Sequence, residues 1–292
     1  MKRLIINTIA DFLQLTSRIF VRLGISRPKV IYYMDGGICS QMSMYLRGQY
    51  YKDVADVLYD TTWFELCGKD MDGRFDRKLE LLELFPTLEF KTVTRKQKYF
   101  YKMFYRYPHN DGYLPEPIEI KRATYFGGYY DIKPEELDNM FSHVFSADRM
   151  RVPEVRLPGE QSPGQGGAKV AVHVRRGDLA NREFLWYKSI PNSYFFNAIK
   201  HVEDRFNDIQ LFFFSDEPEW VEENLCPFIT APYHIIKGNK AYEDLYLISQ
   251  CDVVIASQGS FGVWGARLNG NSILIKPSNE SEGGFMQVTP LL

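Results

Sequence analysis

The chain has 292 residues, of which 45% are hydrophobic and 25% charged, and a formal net charge of -2. This length can bury one large core or two of ordinary size, and the composition excludes a disordered or low-complexity chain. The charge balance excludes a general nucleic-acid binder, which would show a basic excess, but leaves room for a local anion site.

The first 28 residues read as an arm. Ile5, Ile9, Phe12, Thr16, Ile19 and Leu23 recur at helical spacing, and Gly24 and Pro28 end the run. Lys2, Arg3, Arg18, Arg22 and Arg27 stand against the single acid Asp11. Such a helix either packs on its own domain, the favoured reading, or lies on an anionic membrane surface. The interrupted apolar core does not suit a signal peptide, and no run in the chain reads as long and apolar enough to span a bilayer.

Val30–Met34 is the first expected strand, followed by Asp35-Gly36-Gly37-Ile38-Cys39-Ser40-Gln41. The glycine pair permits a tight turn and close backbone approach, but it lacks the spacing of a dinucleotide site and any Walker lysine. A plain strand-to-helix turn explains it equally well. Residues 45–59 read as helix, weakened by Gly48, and Leu79–Leu84 as another. The bases and aromatics of residues 91–106 could stack a base or sugar, but periodic aromatic spacing favours a helix that buries them. Ala123–Asp131 reads as a strand ending at a glycine-rich aromatic rim, and Pro134 starts a helix to about Phe145. Residues 152–167 hold three prolines and four glycines, the best candidate for a boundary. The expected organisation is an arm (1–28), an N-terminal half (29–151), a linker (152–167) and a C-terminal half (168–292).

The C-terminal half has a clear α/β rhythm. Strands are expected at Val170–Val174, Ile209–Phe214, Val253–Ala256 and Ser272–Ile275, with a short one within residues 229–236. Helices follow Asn192 or Ser193, span Trp220–Leu225, include Glu243–Ser249 and end near Leu268. Residues 179–190 form a loop. Alternating strands and helices imply a mainly parallel sheet. Three strand ends then lie on one edge and carry Arg175/Arg176/Asp178, Ser215/Asp216 and Ser257/Gly259/Ser260. Arginine forks and helix-start N–H groups suit a phosphate or diphosphate; the alternative is a surface ion-pair cluster. No metal motif and no Gly-x-Ser-x-Gly elbow appears. The four cysteines, Cys39, Cys67, Cys226 and Cys251, are widely spaced, with no zinc pattern, and reduced thiols in a cytosolic protein are their simplest account. The layout suggests group transfer from a nucleotide-activated donor. Asp178 is the first candidate base for the attacking hydroxyl and Asp35 the alternative, but the favoured reading of a carboxylate beside Arg175 and Arg176 is that it orients them.

These residues resemble the alpha-1,2-fucosyltransferase family. His173-Val-Arg-Arg-Gly-Asp178 is similar to its His-x-Arg-Arg-x-Asp motif. Phe214-Ser-Asp216 followed by Trp220, and the run from Asp244 through Cys251 to Ala266, match in order. Gly36–Met42 and Phe126–Tyr130 are weaker likenesses. The chain departs from the pattern at Cys39-Ser40, Tyr129-Tyr130 and Gln258-Gly259. The resemblance implies an α/β, GT-B-like fold with two Rossmann-like domains facing across a cleft. It implies inverting, metal-independent transfer of L-fucose from GDP-beta-L-fucose to O2 of a galactose-like residue in an oligosaccharide or lipid-linked glycan. By analogy Arg175 binds the diphosphate, His173 and Asp244 lie at the guanosine end, and Ser260 and Phe261 line the phosphates and fucose. Arg176, Asp178 and Asp216 complete the donor side, while the N-terminal half presents the acceptor. The expected location is cytoplasmic, at the inner membrane face if residues 1–28 touch it. Another linkage, or a non-catalytic GDP-sugar or glycan binder, stays open.

Overall fold

A computed structural model describes residues 2–69, 73, 75–107, 118–127, 134–159, 167–177, 190–278 and 283–288. They form two compact units, residues 1–82 with 87–144, and residues 83–86 with 145–292. The division falls between Val144 and Phe145, and residues 83–86 belong with the second unit, where Phe85 packs on Phe145. Of the 152–167 segment, residues 160–166 lie outside the description.

In the first unit, helix α1 (Lys2–Arg22) precedes β1 (Lys29–Tyr33), α2 (Ile38–Gln49), β2 (Asp56–Asp60), α3 (Thr62–Leu66) and the single turn α4 (Leu81–Leu84). Then come α5 (Arg95–Phe104), β3 (Thr124–Phe126) and α6 (Pro134–Val144). The sheet is parallel in the order β2-β1-β3. The helix expected over 45–59 is corrected: it ends at Gln49, and Asp56–Asp60 is a strand in register with Lys29–Tyr33. Gly48, in the last turn of α2, lets the helix pack against the Tyr59 phenol, which a Cβ would strike and which stacks on Tyr45 and Phe90. The glycine-rich turn after β1 is structural in its best-defined contacts. Buried Gln41 donates to the Gly36 and Lys78 carbonyls and accepts from the Glu80 and Leu81 N–H groups.

Helix α5 opens with a capping box between Thr94 and Gln97. The aromatics divide between two sides: Tyr101 packs on the core and Tyr105, just past the helix, is buried. Lys98 is buried, whereas Tyr99, Phe100 and Met103 are exposed. The Lys98 ammonium stands 3.8 Å from the fully buried Asp60 carboxylate and donates to the Thr62 hydroxyl. Asp60 also accepts from the Tyr125 hydroxyl at 2.7 Å and from the Thr62 N–H and O–H. A buried cation is tolerated when paired and hydrogen-bonded in this way. Burial, reinforced by Asp35 and Asp60, pushes the neighbouring Tyr33 phenol up to about 12.

The expectation that no segment could span a bilayer is also corrected. Leu4–Arg22 is long and apolar enough to do so by length and composition. A single N-terminal helix passes that test weakly, since Asp11 and Arg18 interrupt it.

The second unit contains β4 (Ala168–Val174), α7 (Asn192–Glu203), β5 (Ile209–Ser215), α8 (Pro218–Asn224), β6 (Tyr233–Ile236), α9 (Ala241–Ser249), β7 (Val253–Ala256), α10 (Phe261–Asn269), β8 (Ile273–Pro277) and β9 (Phe285–Val288). The sheet order is β6-β5-β4-β7-β8-β9, parallel except for β9, which pairs antiparallel with β8 and was not anticipated. Strand period two sends Val170, Val172 and Val174 into a core with Tyr194, Phe195, Ala198, Ile199 and Val202 of α7. The other face of β4 carries His173, whose ring stacks on Phe261 of α10 at 5.3 Å. Glycines let α10 press close. A Cβ at Gly262 would lie 2.9 Å from the Ala256 Cβ and 3.2 Å from that of His173, and one at Gly265 would strike Ile248 of α9.

Candidate active site

Strand β4 is central in its sheet, with β5 and β7 as its neighbours. Parallel register aligns Val174 with Ser215 and His173 with Ala256, so the next residues of all three strands emerge together at their carboxyl ends. Arg175 donates from Nη1 to Asp216 Oδ2 at 2.6 Å, and its backbone N–H donates to Ser257 Oγ at 2.8 Å. The Arg176 N–H donates to Asp216 Oδ1 at 2.9 Å. One carboxylate from β5 thus orients both the backbone and the guanidinium at the end of β4. Gly177 closes the turn at φ +26°, where a Cβ would stand 2.5 Å from Asp216 Oδ2.

Arg176 turns away to Glu217, with Nε 3.1 Å from Oε2, and lays its guanidinium 3.7 Å over the Trp220 ring. This is a stacked, ion-paired arginine. Arg175, Arg176, Ile190, Phe195, Trp220 and Gln258 line a small pocket, and the Gln258 Oε1 is buried without a hydrogen-bond partner.

His173 lies beneath Arg175. Its Nδ1 is 3.3 Å from Ser257 Oγ, which already accepts from the Arg175 N–H. The Ser257 hydroxyl donates to Nδ1 when the imidazole proton is on Nε2 and accepts from it in the other tautomer. Burial, with a lesser push from Arg175, drives the His173 pKa down to about 3, so the ring is neutral at physiological pH. Burial raises the Asp216 carboxyl above its ordinary value, against the pull of Arg175 and the Arg176 N–H. Beyond Ser257 the chain turns through Gly259 at φ +89°, and a side chain there would meet nothing within 4 Å. Ser260 then starts α10, whose first N–H groups follow directly.

His173, Arg175, Arg176, Asp216 and Ser257 therefore form one connected cluster, to which Phe261 is joined by stacking. Gly259 and Ser260 are exposed on the adjoining turn. Asp244 sits in the first turn of α9 and accepts from Asn239 at 3.0 Å. Asp178 lies outside the described residues. Sequence reasoning did not assign Glu217, Trp220 or Gln258 to the site. A signal existed for the first two, since Trp220 follows Asp216 by four residues and returns to the same strand end after one helical turn. Tyr194 was also missed. Its buried hydroxyl donates to the Ala256 carbonyl at 2.6 Å and so steadies the approach to Ser257. Among the described residues, no three His, Cys, Asp or Glu side chains gather into a group suited to a metal.

The chain is similar to an alpha-1,2-colitosyltransferase of Escherichia coli, 33% identical over 103 residues that cover 34% of this chain and 36% of the relative. It is similar to the mouse galactoside alpha-(1,2)-fucosyltransferase 2, 26% identical over 153 residues, 50% of this chain and 43% of the relative. The alignments thus span less than half the length of either relative. Among solved structures, the NodZ fucosyltransferase from Bradyrhizobium matches with TM-score 0.53 at 13% identity, over 90% of this chain and 99% of that one. A mutant of Arabidopsis thaliana FUT1 bound to GDP matches with TM-score 0.50 at 14% identity, over 91% and 74%. These likenesses assign the α/β fold to the GT-B-like class. The model of glycosyl transferase family 11 matches residues 89–289, more than half of the chain, and the chain belongs to that family.

Proposed function

We propose that the chain transfers L-fucose, with inversion, from GDP-beta-L-fucose to O2 of a terminal galactose-like residue in an oligosaccharide or lipid-linked glycan. The observation that carries this reading is Arg175, ion-paired to Asp216 at the end of the central strand beside the open Gly259 turn and the start of α10. In the reaction the bond from fucose C1 to the β-phosphate oxygen breaks, and its electron pair leaves with GDP. The acceptor O2 bonds to C1 from the opposite face, converting a β-linked donor into an α-linked product, and the hydroxyl proton passes to a base or to water. Negative charge grows on the diphosphate as the bond breaks. On this reading Arg175 and the N–H groups of the α10 first turn meet that charge, and no metal is required.

Within this reading Ser260 and Phe261 contact the phosphates and sugar, and Asp244 serves the guanosine end. His173 and Ser257 position the Arg175 backbone from below. Asp216 and Arg176 hold the donor-side shell. Asp178 and Asp35 are the candidate bases. None of the four cysteines is in a disulfide, which suits a reducing, cytoplasmic setting. The identity with a colitosyltransferase favours colitose as a second donor sugar. Incubation with GDP-fucose or GDP-colitose and a panel of terminal β-galactosides, with linkage analysis of the product, tests the proposal. An α-1,2-fucoside is expected. A different linkage would correct the regiochemistry, and tight GDP binding without any product would make the chain a GDP-sugar binder.

A further inference from the structure

Helix α1 is amphipathic in the wrong sense for a helix that merely caps its own domain. Among the described residues, three hydrogen bonds tether it to the first unit. Gln14 donates to the Phe104 carbonyl at 2.7 Å, the Tyr105 hydroxyl donates to the Leu13 carbonyl at 3.2 Å, and the Ala123 N–H donates to Ser17 Oγ at 3.2 Å. The residues on this inward side, among them Ala10, Leu13, Gln14, Ser17 and Val21, are the half-buried ones. At 3.6 residues per turn the opposite side is centred on Phe12, Leu15, Ile19 and Leu23. All four are exposed, Phe12 to 67% and Leu23 to 66%. The inward side mixes polar Gln14 and Ser17 with Ala10, Leu13 and Val21, while the larger apolar stripe faces away. A surface helix of a soluble domain has the reverse arrangement.

Helix α5 packs beside α1 and adds exposed apolar side chains of its own, Tyr99, Phe100 and Met103. Exposed apolar surface on this scale marks a contact with a partner or a membrane. The accompanying charge is one-sided. Arg18 and Arg22 on α1, and Arg95, Lys96 and Lys102 on α5, are exposed, against the single acid Asp11. A second copy docking face to face would oppose like charges, whereas an anionic bilayer complements them and admits the apolar side chains between the headgroups. Spanning the bilayer would require α1 to break all three tethers.

We propose that α1 and α5 together form a docking surface for an anionic lipid bilayer, with α1 lying in the plane of the interface rather than across it. This reading is independent of the sugar donor and acceptor. The basic side chains flank the apolar stripe and reach the headgroups, and Asp11 lies beside Arg18 on the polar flank.

Flotation of the chain with phosphatidylglycerol–phosphatidylcholine vesicles, and with phosphatidylcholine vesicles alone, tests it. Binding should require the anionic lipid, weaken with salt and be released by alkaline carbonate. Arg18→Gln with Arg22→Gln should lower partitioning about 25-fold, about fivefold for each charge. Tyr99→Ser with Met103→Ser, which leaves α1 intact, should lower it about tenfold. Because these side chains are exposed, the variants should keep the wild-type circular dichroism. Absence of flotation with anionic vesicles overturns the proposal. So does carbonate-resistant insertion unaffected by the α5 changes, which would mean a spanning α1. Sedimentation showing a dimer while flotation stays negligible would assign the face to a second copy.

Discussion

His173 should remain a neutral imidazole far below the pH at which histidines ordinarily titrate, and the second unit should lose stability with acid as a result. The folded pKa is about 3 against 6.5 for the free side chain, because the ring is enclosed between β4, Ser257 and Phe261 with Arg175 above it. A depressed folded pKa means that the unfolded chain takes the proton first, so stability is intact above pH 6.5 and falls as the pH drops from there toward 3. Between pH 7 and pH 5 this one group should remove about 2 kcal/mol, with a limiting slope of about 1.4 kcal/mol per pH unit. That figure is insensitive to the folded value as long as it stays below about 4, since the loss in this window is set by protonation of the unfolded chain. Two measurements check it. The His173 ring proton shifts in an NMR titration should stay flat from pH 7 to pH 5. In urea, the unfolding free energy of wild type should fall by about 2 kcal/mol more over that interval than that of His173→Gln, which cannot titrate. Comparing the pH dependence of each protein separates protonation from the packing that the substitution removes. An imidazole titrating near pH 6, or equal pH dependence in the two proteins, would refute the reasoning.

Arg175→Ala should cut transfer at saturating donor at least about 100-fold, the usual effect of losing one donor aimed at developing negative charge. Near-normal turnover by the folded variant would remove Arg175 from the diphosphate. Activity should survive EDTA if, as proposed, Arg175 and backbone N–H groups neutralise the diphosphate; loss in EDTA restored by Mg²⁺ or Mn²⁺ would contradict this. Gly262→Ala should destabilise the second unit by about 1–3 kcal/mol in urea unfolding, since its Cβ would press Ala256 and the His173 Cβ apart. An unchanged midpoint would show that α10 can shift freely. Asp178→Asn or Asp35→Asn, whichever removes the base, should lower kcat while GDP affinity holds; a parallel loss of GDP binding would identify an organiser of the arginines instead.

The strand ends were legible in the sequence because short apolar runs closed by polar clusters declare buried strands whatever they pair with. Val170–Val174, Ile209–Phe214 and Val253–Ala256 all appear as strands, and Arg175, Asp216 and Ser257 stand at their ends as expected. Their mutual contact was another matter. Asp216 grips Arg175, and Ser257 supports it, because β5 and β7 are the two neighbours of β4, and sheet order is a tertiary choice. The same limit explains the misread elements. Residues 56–60 are apolar enough for a helix or a strand, and pairing with β1 decided for the strand. Lys98 was one base among the aromatics of residues 91–106, and only the folded chain supplies Asp60 and Thr62 as its buried partners. Periodicity located one apolar face on α1 and aromatic spacing on α5, but a repeat reports only which side chains lie on one side of a helix. Whether that side looks into the protein or out from it depends on what stands opposite, and at α1 the protein presents polar tethers while the apolar side faces outward.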